Sequence, residues 1–184
     1  MMSDGLVSPI DVLDFWWEAG AEKWFARDDG FDARCRDTFL ATIKAAQQGD
    51  LDEWAETPSG ALALILLLDQ FTRNVFRGSA EAFAADPKAV AIAEAAVSRG
   101  YDKAFPKAVR VFFYLPFEHA EDMQLQERAV DLCQPLGNME FYHYALIHMD
   151  VIRRFGRFPH RNDVLGRAST EAEIAFLRAG GFSA

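Results

Sequence analysis

The chain has 184 residues, 51% of them apolar, which is enough for one well-buried core over residues 1–184 without a second domain. A net charge of −9 and a pI near 4.9 argue against the broad cationic surface that nucleic acid or an anionic membrane requires, so small molecules or proteins are the expected partners. The longest apolar run, Ala61 to Leu68, is far short of the ~20 residues of a membrane span, and Met1 to Pro9 shows no basic region followed by an apolar one. Cys35 and Cys133 form no CxxC pair, and the expectation is a cytoplasmic protein with two reduced thiols.

Helix signals recur along the chain, and nowhere do β-branched and polar residues alternate over strand length. Ser8 followed by Pro9 predicts a helix start, with Val7 and Val12 spaced as a hydrophobic staple and the helix reaching about Glu18. Phe15, Trp16, Trp17, Trp24 and Phe25 form an aromatic set that needs later helices to cover it. Phe31, Cys35, Phe39 and Ile43 recur near the helical period up to Gln48, and Gly49 supplies a left-handed cap. Thr57 and Pro58 open a helix that is apolar all round from Ala61 to Leu68, as a central, enclosed helix would be. A short helix starts at Ser79 and a longer one at Asp86-Pro87, the latter ending at Gly100. Pro106 and Pro116 bracket the next helix, and another is predicted from about Phe117 to Cys133, stopped by Pro135. Asn138 caps a long helix that runs to Phe155 and ends at Gly156, and Thr170 with Glu173 forms a capping box for the last, which closes at Gly180-Gly181. The prediction is an all-α chain of about eight to ten antiparallel helices, in an irregular right-handed array of tetratricopeptide-like hairpins; no clean 34-residue repeat is visible.

Three polar constellations stand out. In the first, Asp69, Arg73 and Arg77 are four residues apart and share a helix face, with Gln70 and Asn74 on the next stripe. The second is Glu118-His119-Ala120-Glu121-Asp122. Read as one helical turn, it gathers three carboxylates and an imidazole, suited to a cation or to an oriented base, with a surface acidic turn or counter-charges for the arginines of residues 153–167 favoured over a metal. The third spans residues 153–167, where five arginines accompany one acid and leave about −13 on the rest of the chain. Here Gly156 and Pro159 force Arg157, His160, Arg161 and Asn162 onto a constrained loop anchored by Phe155 and Phe158. Fourteen of the nineteen cations are arginine, which favours bidentate contact with carboxylate or phosphate. Buried guanidiniums need partners, either internal acids or an external anion. His143 and His148, five residues apart, point about 140° from each other on a helix and are not a metal pair; His148 reads as a hydrogen-bonded core residue. No phosphate-binding glycine loop, Gly-x-Ser-x-Gly elbow or paired-Cys zinc motif is present.

Taken together, Leu67-Leu68-Asp69-Gln70-Phe71-Thr72-Arg73-Asn74 with Phe76-Arg77-Gly78, Tyr114-Leu115-Pro116 with Glu118-His119-Ala120-Glu121-Asp122, and Arg154 to Asn162 with Leu165-Gly166-Arg167 and Ser169-Thr170 resemble the bacterial family termed domain of unknown function 924. Leu13-Asp14-Phe15-Trp16 and Trp24-Phe25 extend the resemblance over nearly the whole chain. It implies a helical, tetratricopeptide-like fold and names no activity. Ala120 departs from the serine of the family pattern, so no hydroxyl nucleophile stands there.

The site expected from the sequence is a polar pocket of Asp69, Gln70, Arg73, Asn74, Arg77, Glu118, His119, Glu121, Arg154, Arg157, His160, Arg161, Asn162 and Arg167, with no metal or cofactor assigned. Binding of a small anionic ligand or a peptide carboxylate is the first reading. An enzyme, possibly a hydrolase, using His119 or His160 as base with Glu121 among the candidate groups is the second; an internal ion-pair network in a protein-interaction scaffold is the third. Oligomeric state is left open.

Overall fold

Caps written into the sequence open the helices where they are expected. Ser8 and Asp11 exchange both hydrogen bonds of a capping box at the start of α1 (Pro9–Ala19). The computed structural model describes residues 5–183; the expectation about a leader peptide rests in part on residues 1–4 and lies outside the described residues. A single turn, α2 (Ala21–Trp24), precedes α3 (Asp29–Gln48), which Asp28 caps and Gly49 ends in the left-handed region. Thr57 Oγ1 accepts from the Gly60 amide at 3.1 Å to start α4 (Pro58–Ile65). Gly60 is required there, since a Cβ would stand 2.1 Å from the Trp54 carbonyl oxygen.

The central rod does not stop at Ile65. It widens into a π segment, Leu66–Phe71, and returns to α-helix as α5 (Thr72–Val75). Single π turns inside α-helices are rare and recur at functional sites. The Thr72 hydroxyl donates to the Leu68 and Asp69 carbonyls, and Arg73 Nη1 donates to the Asp69 carbonyl at 2.6 Å, so side chains supply extra donors where the ladder is widened. After α5 come α6 (Asp86–Ser98), α7 (Lys107–Glu118), α8 (Met123–Cys133), α9 (Met139–Phe155) and α10 (Glu171–Arg178), with a short 3₁₀ turn in each link except that between α7 and α8. No strand occurs among the described residues, and the fold is all-α.

The apolar rod packs against α1, α6 and α7, while α3 covers the π segment and α5; α7, α8 and α9 follow as sequential neighbours. Every residue from Ala61 to Leu68 is fully buried, as its all-round hydrophobicity demands. Most of the aromatic set is covered: Trp16 is in the core and meets Phe71 at 5.2 Å, while Phe15, Trp17 and Trp24 pack partly buried against it, with Trp24 5.0 Å from Phe112 and its indole donating to the Trp16 carbonyl. Phe25, expected to be buried with them, is instead 58% exposed, since it follows the single turn of α2 and stacks on Phe112 from outside at 6.3 Å. A smaller cluster of Val151, Ile152 and Phe158, joined by Phe155, Phe176 and Phe182, anchors the arginine loop. Both cysteines are buried and unpaired. No helix among the described residues is long and apolar enough to cross a membrane.

One predicted boundary is wrong, and it matters for the site. Pro116 does not end a helix; it lies inside α7, which continues to Glu118. A new helix begins only at Met123, capped by Asp122, which accepts from the Gln124 and Leu125 amides. Residues 119–122 are therefore a turn between two helices. The carboxylates at 118, 121 and 122 do not share one helical face but leave in separate directions.

Candidate functional site

The π segment carries Asp69 into the core, where it is 1% exposed. His119 Nδ1 lies 2.7 Å from Asp69 Oδ1, Arg73 Nη1 lies 3.3 Å from the same oxygen, and Gln70 Nε2 donates to Oδ2. Burial alone would raise the pKa of this carboxyl, but Arg73 and His119 outweigh it and hold Asp69 ionised, with its pKa well below the usual carboxylate range. Arg73 also reaches across to Asp86 in a two-pronged pair at 3.0 and 3.0 Å. Asp86 then accepts from Arg161 Nη1 at 3.3 Å, joining the loop of residues 156–162 to the centre. Arg161 is clamped between Phe83 and Phe158, with its guanidinium carbon 4.5 Å from each ring centroid. Its Nε is buried without a partner, and burial beside Arg73 lowers its pKa to about 10.

Against His119 stand Glu118 and His148. Glu118 is 3% exposed, and its side chain meets His148 Nδ1 at 3.0 Å; among the described residues no lysine or arginine lies within ion-pair distance of it. Burial, and then the charge of Asp69, push Glu118 up to about 8. His148 Nδ1 also lies 2.8 Å from the Tyr144 carbonyl, and burial, with the charge of His119, pulls its pKa down to about 3. Because Asp69 and a carbonyl can only accept, the proton of each imidazole sits on Nδ1, leaving a lone pair on Nε2 of both His119 and His148. The two rings are 5.8 Å apart. His160 lies on the same side, 5.5 Å from the Phe182 ring; its Nδ1 is buried without a partner, and burial followed by Arg161 lowers its pKa to about 4.

The remaining sequence-predicted residues form a frame around this centre. Glu121 turns outward to hold Arg167 through two hydrogen bonds, at 2.6 and 2.9 Å, and accepts from the Phe158 amide at 2.7 Å. Asn162 Oδ1 accepts from Arg167 Nε, and Asn162 Nδ2 donates to Ser169 Oγ. Arg157 forms a two-pronged pair with Glu173, whose carboxyl falls to about 2 through that contact, and also donates to the Ala168 carbonyl. The expected stripe of Asp69, Arg73 and Arg77 is only half formed: Arg77 lies beyond the end of α5 and, with Asn74, binds Asp32 on α3. Gln70 serves Asp69 rather than Asn74. Arg154 lies over Phe155 and Phe176 at 4.9 and 4.7 Å, at 3.7 Å from Asp150, away from the centre. The arginines meet internal acids, as the pairing of the second and third constellations anticipates.

His148 and Asp86 are central residues that sequence reasoning placed elsewhere, one as a core histidine and the other as a helix start. Their decisive partners, Glu118 and Arg161, are far away in the chain. The reading of His148 as hydrogen-bonded holds, but its second neighbour makes it part of the centre.

The family described as bacterial protein of unknown function, DUF924, matches residues 12–181. The chain belongs to the DUF924 family. A solved structure of a protein of unknown function from Agrobacterium tumefaciens is 49% identical to it, with a TM-score of 0.90, covering 94% of this chain and 97% of that one. Among proteins with curated descriptions, none matches. The three long motifs through which the sequence resembles DUF924 are the segments that supply Asp69, His119 and Arg161, so the family pattern and the buried centre coincide in this chain.

Proposed function

We propose that this DUF924 protein is an enzyme of the hydrolytic, acid–base class, acting on a small anionic ester. The buried quartet Asp69, Glu118, His119 and His148 forms its reacting centre, and the paired arginines form its frame. In such a reaction one water adds across the ester and an acid and an alcohol leave. The observation that carries the reading is the 2.7 Å contact between ionised Asp69 and His119 Nδ1, deep inside a widened helical turn. A carboxylate so placed fixes the tautomer and orientation of an imidazole and keeps its Nε2 free for chemistry. Arg161 supports an anionic substrate: unlike Arg157, Arg167 and Arg73, it has no two-pronged acid partner, and its Nε is unclaimed. Binding of a peptide carboxylate by several arginines has less support, because those guanidiniums are already engaged with Asp32, Asp86, Glu121 and Glu173.

The test is turnover of a chromogenic panel of carboxyl esters, phosphomonoesters and phosphodiesters by the parent, His119→Ala and Arg161→Lys. The expected result is activity in the parent that falls at least ~100-fold in folded His119→Ala, the usual scale for a positioned acid–base group, with a raised KM in Arg161→Lys. No turnover by the parent, or full activity in His119→Ala, would overturn the reading.

A further inference from the structure

Glu118 presents a problem that the acid–base reading leaves unsolved. A carboxyl group at 3% exposure is costly unless a cation or several donors meet it, yet it contacts His148, has His119 close by and meets no arginine. Every other buried acid of the network has a guanidinium: Asp69 has Arg73, and Glu173 has Arg157. Three ligand atoms, one each from Glu118, His119 and His148, lie within 4.8 Å of one another. Both histidines are also prepared in the way metal ligands are. The Nδ1–H of His119 is donated to a carboxylate and that of His148 to a backbone carbonyl, the two commonest outer partners of a metal-bound imidazole, and each keeps its Nε2 lone pair. The nearby guanidiniums do not forbid a cation, since the two charges of Arg73 and Arg161 are balanced by those of Asp69 and Asp86 taken together.

We propose that Glu118, His119 and His148 bind one divalent transition-metal ion of the zinc class, with Asp69 and the Tyr144 carbonyl holding the two imidazoles in place. Two imidazoles and one carboxylate form a donor set suited to zinc and its neighbours rather than to calcium or magnesium, and three protein ligands leave a position for water. The proposal rests on the reading of this quartet as the reacting centre. It adds what the two Nε2 lone pairs receive, and a water bound there would be activated near neutral pH.

The experiment uses the full chain, stripped of metal by chelation and titrated with Zn²⁺ by calorimetry and with Co²⁺ by visible absorption. One equivalent is expected to bind, with affinity at least 100-fold weaker in Glu118→Gln and in His148→Gln, roughly 10- to 100-fold weaker in Asp69→Asn, and unchanged in His143→Gln, whose imidazole is exposed and outside the set. X-ray absorption of the zinc-loaded parent should count two imidazoles, a readout that does not depend on any variant folding. Absence of saturable binding by the parent, equal affinity in Glu118→Gln and His148→Gln, or fewer than two imidazoles on the zinc would overturn the proposal. Zinc bound as expected with no ester turnover leaves this site standing and removes the hydrolytic reading. Turnover by the metal-free parent with no metal uptake does the reverse.

Discussion

Glu118 and Glu121 are three residues apart, yet the environments they enter are built to opposite rules. Glu121 leaves the α7–α8 turn toward the arginine loop and is fully partnered, with both carboxylate oxygens on Arg167 and a third bond from the Phe158 amide. Its pKa is accordingly held down against its partial burial. Glu118 leaves the end of α7 toward the interior, meets the His148 imidazole with that of His119 close by and no guanidinium, and is pushed the other way. The frame, then, is a set of closed charge pairs, and the centre is a set of polar groups with capacity left over. Closed pairs hold structure, because removing one member strands the other. Groups with spare lone pairs and protons are available for chemistry.

The comparison breaks most sharply at Asp69, which belongs to both regions. Asp69→Ala should cost about 3–5 kcal/mol in urea unfolding, because Arg73 and His119 lose the carboxylate that compensates their burial. A loss below about 1 kcal/mol would show that the centre is not held by this charge. Next is His160. Its pKa of about 4 in the fold lies below the ordinary value of 6.5, so the unfolded chain takes the proton more readily. The stability this supplies is present above pH 6.5 and is lost as the pH falls through about 4. His160→Gln should remove a component on the order of 2 kcal/mol from the acid side of a stability-versus-pH curve and leave the neutral side alone.

Arg157→Ala should lower the melting temperature less than Asp69→Ala does, since Arg157 sits at the rim of the frame, with its side chain 28% exposed. An equal drop would mean that rim and centre are not different. Glu118→Gln, measured without metal, should shift stability by less than about 1 kcal/mol in either direction, because no cationic partner is stranded; a loss as large as that for a frame residue would erase the distinction between frame and centre. At the small end, Cys35 and Cys133, whose pKa values burial raises to about 12, should resist a disulfide reagent in the native protein at pH 8, and both should react once it is unfolded.

Much of the fold was legible because its signals are local. Ser8 with Pro9, Thr57 with Pro58, and Thr170 with Glu173 satisfy the open amides of the helix beginning beside them, and the structure starts helices there. The frame was half legible, since abundant arginine and the demand for partners imply internal acids without naming them. Asp32 lies 45 residues from Arg77, and Asp86 lies 75 from Arg161; spacing on one helix says nothing about such pairs. The α7–α8 boundary is not legible locally: Pro116 forfeits one backbone hydrogen bond, yet it lies among the buried residues 111–118, whose packing carries the helix on to Glu118, and Asp122 resembles a ligand when its task is to cap α8. His148 reads from sequence as a core residue because its carbonyl bond is local, while Glu118 arrives from another helix.

The π segment has a consequence for how this protein tolerates insertion and deletion. A π turn amounts to one residue more than an α-helix of the same span would hold, and each residue turns the chain by about 100°. Removing one leucine from Leu66–Leu68 would leave Asp69, Gln70 and Arg73 with unchanged identities, and in an apolar stretch the loss would be inconspicuous. If the turn closed to ordinary α geometry, the flanking helical segments would keep their relation, since the widened turn had absorbed that one residue, but Asp69, which lies inside it, would lose the position from which it meets His119. The centre is thus encoded in a residue count as well as in its side chains.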